Sequence, residues 1–301
     1  MLIQHHDRND WAAVLSHCKP HDIYHTWQYH QVAKGTAIPK LLVYQSNDHM
    51  LALPGLFSGN RLDSVYGYPG LITTPNPIVD LRSVWAHFDD DMLALGVTTL
   101  VTRTNPLIPK SGTVESLAGL FTREDRGQTT YLDLTQPLRP SKGHKTDLKK
   151  ASAALTVRHD PDFTYLRWLA LAYAETMSAV SAAPAYHWDL DYFSELLFYL
   201  RDHIHVFVAF HGPTPVSAAL FFEYQGLCQY HISATPNRDH LPLGGAKLII
   251  QEAYEFFKAR GNRVLHLGGG LGGDTRSPLF RMKAGFGGPR VPYYIAKWER
   301  R

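Results

Sequence analysis

Along the second half of the chain, apolar positions first form short strand-like runs and then recur with helical spacing. His205–Phe210 (HVFVAF) is an apolar run, Gly212-Pro213-Thr214-Pro215 a turn, and Val216–Tyr224 (VSAALFFEY) a second run. Gln225-Gly226 makes another turn before Leu227–Thr235 (LCQYHISAT), so three strands are predicted. The period then changes. Ala246, Ile249, Ile250, Ala253, Phe256 and Phe257 fall on one helical face, with Gln251, Glu255 and Lys258 opposite and Gly261 at the end. Arg263–Leu267 (RVLHL) predicts a buried strand running into a glycine loop. Ser277-Pro278 supplies an N-cap and first residue for a short helix, and Tyr293–Trp298 predicts a last strand.

The first half repeats that order. Lys40–Gln45 and Met50–Phe57 predict strands joined by a turn at Ser46-Asn47-Asp48-His49, and Leu62–Ile72 contains a third. Pro77–Leu95 predicts a helix, Val97–Arg103 a strand, Val114–Phe121 a second helix and Thr129–Leu134 a further strand. Between the halves the pattern is helical: a basic helix after Ser141, then Phe163–Ser181, then Asp191–Asp202. The expectation is therefore α+β, with similar domains at 1–140 and 204–301 and a helical connector at 141–203. The two halves share order rather than sequence.

Composition narrows the classes. Of 301 residues, 45% are apolar, enough for a substantial core, which excludes a disordered or fibrous chain. Thirty Lys/Arg against 27 Asp/Glu leave a net charge of +3, too mild to argue for a nucleic-acid protein by itself. The charge is uneven: residues 1–100 carry six basic and nine acidic groups, while Lys142–Arg158 carries five basic groups and one acid, Asp147. Two cysteines, Cys18 and Cys228, do not make a disulfide framework. The opening MLIQHHDRND lacks the regions of a signal peptide, and no apolar stretch approaches a membrane span, so a cytoplasmic location is expected.

Several segments could carry chemistry. Gly268–Gly273 satisfies G-x-G-x-x-G after a strand, but the βαβ context of a dinucleotide site is missing after it. The loop RDHLPLGGAK at Arg238–Lys247 opens the best helix, whose backbone N–H groups suit a pyrophosphate; a plain helix start explains Gly244-Gly245 equally well. Tyr230 and His231 end the strand before that loop, His266 precedes the glycines, and Lys283 lies on the short helix SPLFRMKAGFGG. Each has an ordinary structural explanation; together they point to the ends of neighbouring strands. His17, His21 and His25 could line one helix face and bind zinc, but the amphipathic pattern such a helix needs is missing, and no metal is expected. Asp189-Leu190-Asp191 reads as a helix cap, and Lys142–Lys150 as a solvated helix face or a phosphate-contacting one.

At this point the residues carry a resemblance. The run YHISAT, the amphipathic helix, RVLHLGGG and SPLFRMKAGFGG are similar to the C-terminal half of FemAB-like proteins. These comprise peptidoglycan-bridge aminoacyltransferases and related acyltransferases of the GNAT superfamily. TWQYHQVAKG at Thr26–Gly35, SVYGYPGLI at Ser64–Ile72 and PSKGHKTDLKKA at Pro140–Ala151 agree with it. The resemblance implies two tandem GNAT-like domains, with mixed, largely antiparallel sheets and helices on both faces. It also implies acyl transfer to an amine. Lys283 matches the lysine of an F-x-x-K-x-x-F pattern (Phe280, Lys283, Phe286), whose ammonium would stabilise a developing oxyanion. His231, His266 and Asp274 are the candidate bases. In the GNAT branch the loop before the long helix holds the CoA pyrophosphate; here Arg238, Leu243, Gly244, Gly245, Ala246 and Lys247 occupy it, with Leu241 where that branch has Gln or Arg.

The donor is thus an acyl-CoA, an aminoacyl-tRNA or an acyl carrier protein, the tRNA calling on the basic 142–158 segment. The acceptor is expected to be a small or lipid-linked amine, with no DNA partner and no transmembrane segment. Its pocket is expected between the domains, lined by Tyr66, Tyr68, Arg103, Asn105, Tyr186, His187, Trp188, Tyr230, Gly269 and Gly270. The leading expectation is an N-acyltransferase acting on an amino group of a cell-envelope sugar or peptidoglycan precursor. The alternative is a non-catalytic protein that keeps the tandem fold to hold a nucleotide-sugar or RNA ligand.

Overall fold

The computed structural model describes residues 2–46, 49–75, 87–108 and 121–300. The centre of the turn predicted at 46–49, the start of the helix predicted at 77–95 and nearly all of that predicted at 114–121 lie outside them. The architecture is α+β, in two compact units: Met1–Gly127 with Val291–Arg301, and Gln128–Arg290.

In the first unit, β1 (Leu2–His5), β2 (Ile38–Ser46), β3 (His49–Ser58) and β4 (Arg61–Asp63) pair antiparallel in sequence order. β6 (Thr99–Arg103) then joins β4 in parallel, and β13 (Arg290–Glu299) joins β6 antiparallel, while β5 (Ile72–Thr73) pairs with β3. The strand expected within 62–72 is confined to its ends, at β4 and β5, because Gly67 (φ +111°) and Gly70 (φ +58°) between them take backbone conformations no β-strand has. Alternation along β2 sorts its side chains. Leu41 and Val43 pack with Trp11, Val14 and Leu15 of α1 (Arg8–His17), whereas Leu42 faces Phe88 and Met92 of α3 (Phe88–Ala94). Helices therefore cover both faces. A further helix, α2 (Trp27–Ala33), starts on the Thr26 hydroxyl, which accepts from the Tyr29 N–H at 3.3 Å.

The second unit repeats the pairing pattern. β8 (Thr156–His159), β9 (Ile204–His211), β10 (Thr214–Tyr224) and β11 (Leu227–Ala234) are antiparallel in succession, and β12 (Val264–Gly269) joins β11 in parallel. Residues 129–133 of β7 (Thr122–Asp133) complete the order antiparallel to β12. The closing strands are exchanged: β7, from the first half of the chain, pairs in the second unit, and β13, from its end, pairs in the first. The sequence order alone had placed 291–301 with the C-terminal domain.

Of the helices here, α4 (Lys142–Ala154) and α7 (Gly245–Ala259) contribute Leu148, Leu248, Ile249, Ala253 and Phe257 to a core with Phe207, Phe221 and Tyr230. Gly245 makes the approach possible: a Cβ there would lie 2.8 Å from the Ser217 Cβ. Helices α5 (Leu166–Ala179) and α6 (Leu190–Leu200) serve the alternate residues of β11, and α8 (Pro278–Ala284) follows β12. Asp189 caps α6 by accepting from the Tyr192 N–H at 3.1 Å, as the sequence indicated. Among the described residues no helix is long and apolar enough to cross a membrane.

Candidate active site

β12 ends in HLGGG, and the chain must turn back there to start α8. Gly268 adopts φ +77°, a left-handed conformation, and Ser277 caps α8 by accepting from the Phe280 N–H at 3.2 Å. Gly270 is required by space rather than by its backbone. A Cβ at this position would lie 2.3 Å from the Asp274 carbonyl oxygen and 2.4 Å from the Ser277 Oγ. The loop thus folds tightly enough for α8 to aim Lys283 back at the strand end.

Lys283 is 8% exposed, and its Nζ donates to the Gly269 carbonyl at 2.9 Å. The same nitrogen lies 5.5 Å from the centre of the Tyr230 ring. Burial lowers the ammonium from its usual range to about 7. Among the described residues no carboxylate forms an ion pair with it. A buried, uncompensated amine on a backbone carbonyl is costly, which is the usual mark of a group kept for chemistry.

The four expected catalytic residues do not converge. Tyr230 and His231 are neighbours in β11 and point to opposite faces, so only Tyr230 reaches Lys283. His231 instead lies under α6, with its Nε2 2.8 Å from the Tyr192 hydroxyl and its ring stacked on Trp188. Burial pushes the imidazole down to about 3, too weak to take a proton from an amine at neutral pH. His266 is buried and donates from Nδ1 to the Gln229 side-chain oxygen at 2.7 Å. Asp274 lies on the surface and accepts from the Arg276 N–H at 2.8 Å, which lowers its carboxyl below the usual range.

At the α7 start, Gly244 is left-handed (φ +75°) and no side chain caps the helix, leaving backbone N–H groups at the terminus. Residues 238–243 form a 3-10 turn that holds Arg238 exposed and Leu243 half-buried. Lys247, expected to be available to a phosphate, is instead paired with Asp147 of α4.

The remaining residues fall into two groups. In the second unit Trp188 is stacked with Tyr173 and Tyr192, with centroids 5.5 and 4.7 Å away. The Tyr186 carbonyl accepts from the Tyr173 hydroxyl, and His187 bonds the Ala182 carbonyl. In the first unit Tyr66, Tyr68, Arg103 and Asn105 surround the 64–70 loop. Arg103 lies 5.8 Å over the Tyr66 ring, and Tyr68 meets Tyr24 and Tyr293 edge to face.

Asn105 positions this loop: its Nδ2 donates to the Tyr68 carbonyl (2.7 Å) and to the Asp22 carboxylate (2.8 Å). Asp22 was not singled out from sequence. The three-residue spacing to His25 is a cap signature, hidden by the reading of His17, His21 and His25 as one helical stripe. In fact α1 ends at His17, His21 donates to the Cys18 carbonyl, and His25 sits in the 3-10 turn capped by Asp22. Among the described residues no group of three or more His, Cys, Asp or Glu side chains is placed to hold a metal ion.

The two units share one strand order, each with a single parallel step, and the fold is that of the solved structures it resembles, tandem GNAT proteins among them. The crystal structure of FemX is similar over 98% of this chain and 96% of its own, with a TM-score of 0.69 at 11% identity. L-PGS from Bacillus licheniformis gives 0.62 at 10% identity, covering 98% and 93%. A tandem GNAT protein from the clavulanic acid biosynthesis pathway gives 0.58 at 13% identity, covering 99% and 98%. No protein-family model matches the sequence, and no curated protein matches it.

Proposed function

We propose that this protein is an N-acyltransferase that moves an acyl or aminoacyl group from an activated donor to an amine of a cell-envelope sugar or peptidoglycan precursor. The observation that carries the reading is Lys283: a buried amine with no ion-pair partner among the described residues, held at the end of β12 by a glycine turn. The fold shared with FemX and a tandem GNAT protein supports it.

In the reaction the acceptor nitrogen attacks the donor carbonyl carbon, forming the C–N bond. The carbonyl oxygen takes up negative charge, which the Lys283 ammonium offsets in a site sheltered from water. The C–S bond of a thioester or the C–O bond of an ester then breaks. The amine proton leaves with the departing thiolate or alkoxide, which fits a site where His231 is too weak a base. The α7 terminus would take the donor phosphates on backbone N–H groups, with Lys247 committed to Asp147.

Calorimetric titration with acetyl-CoA tests the donor. Saturable micromolar binding, weakened by Gly244→Val, is expected if the donor is a thioester. No binding at millimolar ligand would move the donor to aminoacyl-tRNA and make the exposed Lys142, Lys145, Lys149 and Lys150 its contacts. Tyr68 and Arg103 are proposed to bind the acceptor. Their alanine variants should raise the acceptor KM about tenfold with kcat little changed, and an unmoved KM would remove them from the site.

A further inference from the structure

Helix α4 reaches α8 through one side chain. His144 is 9% exposed, and its Nε2 donates to the Met282 carbonyl at 2.7 Å. A carbonyl can only accept, so this bond fixes the proton on Nε2; the Nδ1 lies 3.4 Å from the Ser141 hydroxyl, which can donate to it. The Met282 carbonyl belongs to the peptide unit that carries the Lys283 nitrogen. The imidazole also stands edge-on to Phe286, with centroids 5.2 Å apart. Three residues before the ring, the Ser141 N–H group donates to the Gly285 carbonyl at 2.9 Å, closing the same junction.

Gly285 records the fit. Its backbone (φ −65°, ψ −13°) is ordinary for any residue, so conformation does not call for glycine. The reason is the imidazole: a Cβ at 285 would lie 2.0 Å from the His144 Cε1. The same face of α4 meets the other candidate element one and two turns on. Asp147 pairs with Lys247, and the Ala151 Cβ is 3.4 Å from where a Cβ on Gly244 would stand. One helix thus braces both the α7 terminus and the helix that bears Lys283.

We propose that His144 is a positioning residue for Lys283: its imidazole locks the last turn of α8 and so holds the amine on the Gly269 carbonyl. The inference rests on the reading of Lys283 as the reacting group, but its test does not depend on turnover. With lysine ε-carbons labelled with carbon-13, Lys283 should titrate near 7, well below the ~10.4 of solvated lysines. The Lys283→Met spectrum identifies the signal by its loss.

His144→Phe keeps the ring shape and removes the donor. It should raise the Lys283 midpoint by about one pH unit as α8 loosens and water reaches Nζ. His144→Gln, which restores a donor at similar reach, should keep the midpoint within about 0.3 unit. Gly285→Ala is the second variant, should the phenylalanine not fold: it displaces the ring and should move the midpoint in the same direction. A folded His144→Phe or Gly285→Ala protein with an unmoved midpoint overturns the proposal. Full turnover in Lys283→Met, beside a shifted midpoint in His144→Phe, would sink the catalytic reading and leave the clamp standing.

Discussion

Replacing Lys283 with methionine is expected to slow transfer severely while raising the melting temperature. The two effects have one origin. A lysine whose folded value is near 7 and whose unfolded value is about 10.5 costs stability wherever the unfolded chain binds the extra proton. Its folded form is unpenalised above about 10.5; stability is then lost as pH falls towards 7 and stays lost below it. Methionine fills the same space without the penalty, so the variant should gain several kcal/mol at neutral pH and lose the pH slope between 7 and 10. Removing a charge that offsets an oxyanion should lower kcat by roughly 10²–10³-fold. In the wild type kcat should fall as pH rises through about 7, because the neutral amine cannot serve. A variant that is more stable and still turns over at the normal rate would take Lys283 out of the chemistry. Thermal melts from pH 6 to 10 and steady-state rates over the same range decide it.

The second large effect is expected at Gly270. Its φ of −90° suits any residue, so an alanine is not strained at the backbone. It fails on space, because its Cβ would press on the Asp274 carbonyl, the Ser277 Oγ and the Phe280 Cβ at 2.3, 2.4 and 2.9 Å. The first two are held by the loop and the α8 cap and cannot swing away. Gly270→Ala should therefore cost roughly 2–4 kcal/mol, and a disturbed α8 should lower turnover about 10²-fold. Gly272→Ala is the control. It has open space around it but a φ of +59°, so it should cost roughly 1–2 kcal/mol with little change in rate. Urea melts and rates on the two variants separate the effects. Equal behaviour would mean that the loop does not set the position of α8.

The regularities visible in sequence were local. The amphipathic run 246–257 became α7, and the repeated order of strands became two units with the same pairing pattern. What stayed hidden depended on distance along the chain or on parity. Nothing in a window of ten residues says that Leu132 pairs with Leu265, or Leu100 with Trp298. The alternation that separates Tyr230 from His231 was in the sequence, yet proximity in the chain made the two look like partners. Lys283 was legible from its pattern, whereas its burial and its bond to Gly269 needed the turn of the glycine loop. Asp22 and His144 have no signature stronger than that of a cap or a helix histidine. Each matters through a partner more than 80 positions away, Asn105 for Asp22 and Met282 for His144.

The exchanged closing strands have a consequence for how the protein is made. Thr104 and Tyr294 are bonded across 190 positions, so the sheet that β6 begins stays open at that edge until β13 has been synthesised. At ~5–20 residues per second a ribosome needs roughly 10–40 s to supply it. Throughout that interval β6 presents unpaired backbone groups beside Leu100, which is fully buried in the finished fold. The N-terminal half should therefore emerge as a client for chaperones, and a nascent chain stalled before residue 290 should be cut readily by protease while the released protein resists.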